Sequence, residues 1–138
     1  MEYDDQYVAL GFVLYPKPFG IQPEYNIGTS PGYDAETGSV RQTDITGGQV
    51  TFCYRKVVER HVLIPFVRLQ YFRGAKKAEL DARYHEVDEY AFGVEWLPFR
   101  HFELTVMYTR ARRVTADFTN GWNDQQGGLL RLQCQFNY

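Results

Sequence analysis

Arginine is the side chain in this sequence best suited to chemistry: its guanidinium is always charged and can grip an oxyanion through two parallel N–H groups. Under a strand alternation, Arg55, Arg68 and Arg131 point to one polar face, which also carries Glu24, Glu95 and Glu103. If that face lines water, its basic side chains favour the passage of anions. The competing reading is that the arginines pair with the glutamates across strands and only keep a wall polar and in register. Arg110, Arg112 and Arg113 form a second basic cluster near a strand end, able to gather anions at an entrance or simply to be solvated. Lys76 and Lys77 are a smaller charge pair with the same two readings. His61, His85 and His101 share no ligand spacing, and Cys53 and Cys134 form no CxxC. No GxSxG, HExxH or glycine-rich phosphate loop occurs, and Ser30 and Ser39 stand in one polar stretch. The residues therefore point to no catalytic group, no metal and no cofactor.

The elements that must position these side chains are strands. Apolar residues recur at period two, and no amphipathic helix of useful length is visible. Leu130, Leu132, Cys134, Phe136 and Tyr138 alternate with Arg131, Gln133, Gln135 and Asn137. Phe102, Leu104, Val106 and Tyr108 alternate with Glu103, Thr105 and Met107, and Tyr90, Phe92, Val94 and Trp96 with Ala91, Gly93 and Glu95. Segments 63–73, 47–55 and 19–27 behave likewise, and 6–15 is apolar on both faces, with Val8, Leu10, Phe12 and Leu14 on the more apolar one. About seven strands result. Short turns are expected at 16–18, about 57–61 and 98–101. Long polar loops, rich in Gly, Pro and Asn, are expected at about 28–46, 74–84 and 111–128. The predicted fold is all-β, an antiparallel meander whose two ends differ, in one domain over 1–138.

Composition narrows what such a sheet is for. With 138 residues, 15 Lys plus Arg and 17 Asp plus Glu, the net charge is −2, which argues against a nucleic-acid partner. The chain is polar on average, and no run of about 18 apolar residues could form a spanning helix. Yet 17% of it is aromatic. Large rings stand at strand ends (Phe19, Tyr25, Tyr71, Tyr90, Trp96, Phe102, Tyr108, Tyr138), where a membrane–water boundary suits them. Charges on the opposite face are costly in a small soluble core and solvated in a water-filled lumen. Short turns at one end and long loops at the other complete the pattern of an outer-membrane barrel. Tyr90 to Trp96 spans only six residues, so the apolar band is thin. In this setting Arg110, Arg112 and Arg113 acquire a further reading, as contacts to lipopolysaccharide phosphates. The opening Met1-Glu2-Tyr3-Asp4-Asp5 is acidic where a secretory leader is basic. A soluble β-barrel or sandwich binding module is the alternative, and an outer-membrane barrel enzyme a remoter one.

The stretch Gly128-Leu-Leu-Arg-Leu-Gln-Cys-Gln-Phe-Asn-Tyr138 resembles the terminal strand of an outer-membrane porin, in which alternate apolar residues and a final aromatic form the signal read by the barrel-assembly machinery. With Tyr15-Pro-Lys-Pro-Phe-Gly-Ile-Gln-Pro-Glu-Tyr-Asn26, Ile64-Pro-Phe-Val-Arg-Leu-Gln-Tyr-Phe72, Gly93-Val-Glu-Trp96 and Phe102-Glu-Leu-Thr105, in order along the chain, it resembles the C-terminal part of the phosphate-selective porin O and P family. The resemblance implies a barrel of sixteen strands in the Gram-negative outer membrane, in contact with its lipid and usually trimeric. It implies passive diffusion of small anions such as phosphate, or of other small solutes. This chain would supply the last seven strands, a partial barrel without the signal peptide, the first strands or the constriction loop.

Overall fold

The computed structural model describes residues 6–34, 36–75, 83–117 and 121–138. Lys76 and Lys77 lie outside them. The described chain is built of strands: β1 (Tyr7–Gly11), β2 (Phe19–Asp34), β3 (Ser39–Tyr54), β4 (Lys56–Val58), β5 (His61–Ala75), β6 (Tyr84–Phe99), β7 (Phe102–Asp117) and β8 (Gly121–Phe136). They form one antiparallel sheet in the order β1-β2-β3-β5-β6-β7-β8, with β4 paired to β5. β4 continues β3 past Arg55 in the same register, since Cys53 pairs with Phe66 and Lys56 with Leu63. Seven ribbons, six of them long, therefore lie side by side, each hydrogen-bonded to its sequence neighbour. The sheet is open, and β1 and β8 are its edges.

The short turns fall where the sequence places them: at 16–18, at Glu59–Arg60 and at Arg100–His101. Glu59 adopts a positive φ of 54°, which closes the β4–β5 hairpin. Two of the three long loops need correction; the one expected at about 74–84 stands within a residue or two. β2 and β3 pair to Asp34 and Ser39, so the expected loop 28–46 shrinks to 35–38. β5 and β6 pair as far as Ala75 and Tyr84, and β7 and β8 as far as Asp117 and Gly121. The strands are thus 15 or 16 residues long where sequence reading stops them at about nine. The reason is physical. Beyond the apolar band both faces are polar, so period-two alternation disappears although the ladder of backbone hydrogen bonds continues.

The sheet has almost no core. Its buried apolar residues among those described are Ala75 and Ala91. The large apolar side chains are instead exposed, Leu130 at 70% and Leu132 at 67% among them. Burial of apolar area stabilises by roughly 25 cal/mol per Å². A sheet that leaves this area open requires a second apolar phase, lipid or protein, against one face.

Candidate functional site

Register assigns every side chain to a face. Face one carries Val8 and Leu10 against Ile27 and Tyr25, and Phe19, Ile21 and Pro23 against Tyr54, Phe52 and Val50. It continues through Val67 and Leu69, then Phe92 and Val94, then Tyr108 and Val106, and ends on Leu130, Leu132, Cys134 and Phe136. Rings bound this apolar band on both sides. At the turn end, Phe19 lies 5.0 Å from Tyr54 and Phe102 lies 4.9 Å from Phe136, centroid to centroid. Trp96 Nε1 donates to His61 Nδ1 at 3.4 Å. At the other end stand Tyr25, Tyr71, Tyr90 and Tyr108.

The two boundaries cross the strands obliquely and in parallel. The rung of Tyr25 runs through Gly48, Tyr71 and Asp88 to Arg112, but on β7 the boundary ring is Tyr108, four residues lower. The rung of Phe19 runs through Tyr54 and, carried across, Pro65 and Val94 to Val106. There the boundary ring is Phe102, again four residues lower. Four residues of ~3.3 Å over four strand spacings of ~4.8 Å give an average slope of about 35°, the upper line descending after β5, where Tyr71 still lies on the Tyr25 rung. A flat slab cutting strands tilted by about 35° from its normal would produce these lines, and barrel strands tilt by roughly 35–45°. Six residues at that tilt put about 16 Å between the Cα lines, and the rings widen the band at each margin.

Past the tyrosines the same face turns ionic. Arg73 donates through Nη2 to Asp88 at 2.7 Å and through Nη1 to the Val87 and Phe72 carbonyls, with its guanidinium 5.8 Å from the Tyr71 ring centre. Arg112 grips Asp124 with Nε and Nη2, the shorter contact being 2.6 Å. These bonds hold the Arg73 and Arg112 guanidiniums more firmly protonated and draw the Asp124 carboxyl below the usual aspartate range. Asp34 is likewise lowered by the Thr37 hydroxyl, then by the Glu36 N–H.

Face two is wet. Glu24, Arg68, Glu95, Glu103 and Arg131 all fall on it, and Arg55 has the same parity between β3 and β4. Arg55, Arg68, Glu95 and Arg131 line one concavity of about 700 Å³, with Phe66 and Met107 in its floor. Arg68 Nε donates to Thr51 Oγ1 at 3.2 Å. Glu24 accepts from Asn26 and Gln49, and Glu103 from Thr105. Among the described residues no ion pair joins the three arginines to the three glutamates, so the pairing that would make them a purely structural wall is not formed. Gly93 shapes this floor: a Cβ there would stand 2.4 Å from the Val106 carbonyl oxygen and 2.8 Å from Phe66 Cζ.

The basic cluster at 110–113 is divided. Arg110 and Arg112 share face one, beyond the tyrosine line, and Arg113 lies on face two. There Arg113 Nε donates to Nδ1 of the buried His85, 3.2 Å away, and Thr115 Oγ1 also reaches that nitrogen. His61 and His101 sit at the opposite end of the sheet, His101 Nδ1 3.0 Å from the Asn137 carbonyl oxygen. Among the described residues no three His, Cys, Asp or Glu groups converge on a metal-sized site, and no helix is long and apolar enough to cross a membrane. Cys53 and Cys134 are free thiols. No family model, curated protein or solved structure matches the chain.

Proposed function

We propose that this chain forms the C-terminal wall of an outer-membrane porin of the phosphate-selective O and P type, a passive diffusion channel for small anions such as phosphate, trimeric when whole. The observation that carries the proposal is the pair of parallel aromatic lines enclosing an exposed apolar band at a slope of about 35°. A protein-covered sheet face needs no such slanted, flat-edged band; a bilayer does. The ion pairs Arg73–Asp88 and Arg112–Asp124 then stand where strands leave the hydrocarbon for the headgroup layer. Leu130, Leu132, Cys134, Phe136 and Tyr138 are the residues the assembly machinery would read. No energy source or catalytic group is needed. Solutes move down their gradients, and Arg55, Arg68 and Arg131, with Glu95 the one carboxylate in their concavity, favour anions there, while Glu24 and Glu103 balance the charge over the rest of the face.

Insertion tests this reading. Denatured chain is diluted into detergent-free buffer and, separately, into phospholipid vesicles. The expected outcome is aggregation in buffer and strand-rich, protease-protected chain in vesicles. A monodisperse folded chain in buffer alone would overturn the membrane assignment in favour of a soluble module.

A further inference from the structure

We propose that face two carries, beside the arginine concavity, a weak subsite for uncharged polyhydroxylated solutes, sugars in chemical class; it rests on reading that face as a water-filled lumen. The site is a concavity of about 380 Å³ across β1, β2, β3 and β5. Two rings wall it. Tyr7 lies over Gly28, where a Cβ would come within 2.8 Å of its Cδ1, and Phe72 lies beside Gly47, where a Cβ would stand 3.6 Å from its Cδ2. Glycine at position 28 lets the Tyr7 ring settle against the sheet, and Phe72 stands at ordinary contact distance over position 47. Between them, Glu24 Oε1 accepts from Asn26 Nδ2 at 3.0 Å and Oε2 from Gln49 Nε2 at 2.9 Å. Gln70 is Gln49's partner on the next strand, and its exposed amide is unbonded among the described residues.

The chemistry of this set selects its ligand. Each amide that donates to Glu24 keeps a second N–H and a carbonyl oxygen for a guest, and the carboxylate keeps lone pairs. Donors and acceptors are therefore mixed, which suits hydroxyl groups because each both donates and accepts. Ring faces suit the C–H faces of a sugar. An anion would meet Glu24 and no cation in the lining. A cation would meet one carboxylate already shared by two amides, with Arg68 next on the same face of β5. An apolar guest would strip water from amides and give nothing back. The site is open, so binding is weak, as a conducting wall requires.

The test uses the full chain refolded in micelles of a sugar-free zwitterionic detergent. Side-chain amide resonances of Asn26, Gln49 and Gln70 are followed while a linear glucose trisaccharide, inorganic phosphate or tetramethylammonium is added. Saturating shifts with the trisaccharide alone are expected. Gln70→Ala, at an exposed side chain, and Phe72→Leu should each weaken them about tenfold, and Arg131→Ala should not. Shifts that do not saturate with sugar, that persist in Gln70→Ala, or that phosphate or the quaternary amine reproduces would overturn the subsite. The two proposals fail separately. A chain that inserts into vesicles and ignores sugar removes the subsite alone, and a chain folded without detergent that binds sugar removes the membrane assignment alone.

Discussion

Val106→Arg probes the slanted band directly. Val106 stands on face one of β7, flanked by Val94 and Leu132, 42% exposed. It lies four residues from the boundary ring Phe102 and four from Arg110, the first charge beyond Tyr108. At a tilt of about 35° Val106 stands roughly 11 Å from the Phe102 line and about 5 Å from the Tyr108 line, near the middle of the band, so an arginine there can snorkel only toward Tyr108, which sets the loss at the low end of the midplane range. If lipid covers the face, the substitution costs about 2–4 kcal/mol, the range for arginine at the bilayer midplane of a barrel, whereas the same charge near the margin costs about 0–1. That is roughly a 30- to 1,000-fold change in the folding equilibrium. Tyr108→Arg supplies the margin value and Thr105→Arg, one residue away on face two, the water-facing control. The assay is reversible guanidinium unfolding of vesicle-inserted chain, read by the fluorescence of its two tryptophans. The expected order of loss is Val106, well above Tyr108 and Thr105. Equal losses at Val106 and Thr105, or no loss at Val106, would refute the assignment of face one to lipid.

Glu59→Gly should stabilise the chain by ~0.5 kcal/mol, because a left-handed φ costs a side-chain-bearing residue about 1–2 kcal/mol and glycine's own flexibility returns part of that; the same unfolding curve reads it. Gly93→Ala should cost about 1–3 kcal/mol, since the added Cβ meets the Val106 carbonyl oxygen, which cannot yield without opening the β6–β7 ladder; an unchanged unfolding midpoint would contradict the close approach. Asp34 and Asp124 have carboxyls lowered in the folded chain, so their contribution is complete above the unfolded aspartate range near pH 4 and fades as pH falls through the lower folded values. Asp124→Asn should flatten the acid side of the stability–pH curve while leaving its shape above pH 6 unchanged.

Faces were legible in the sequence wherever a strand had one apolar side. Leu104, Val106, Leu130 and Leu132 fall together because a one-residue slip would turn the whole apolar set to the polar face. Strand length was not legible, because the outer halves are polar on both sides and rich in residues that usually mark turns. Gly128 reads as a loop residue; in β8 it lies beneath the Tyr108 hydroxyl, which a Cβ would approach to 2.5 Å. Gly32 and Pro31 similarly lie within β2, paired to Arg41 and Gln42. The arginine concavity followed from parity alone, since alternation put Arg55, Arg68 and Arg131 on one side. The division of Arg110 and Arg112 from Arg113 was also implicit in parity, but adjacency in sequence suggested a cluster. The amide and ring subsite had no sequence signal at all: Tyr7, Asn26, Gln49 and Phe72 are brought together only by register across four strands.

The edges bear on what must adjoin this wall. Hydrocarbon offers no hydrogen bonds, so a lipid-facing sheet has to close on itself or on other strands. β8 presents a free edge along all 16 of its residues, and every side chain assigned along 123–136 is exposed. At the other side, β1 with its continuation to the Leu14–Ile21 bridge covers about half that length among the described residues. Joining these two edges would leave the outer half of β8 without partners on that side. Seven strands pulled into so small a ring would also drive Phe66, Phe72, Met107 and the long arginines into a lumen that an eight-stranded barrel already fills with side chains. Both constraints point the same way. If the proposed membrane assignment holds, the partner of β8 is another long strand with the same alternation, and the curvature it completes is wide enough to leave Arg55, Arg68 and Arg131 in water.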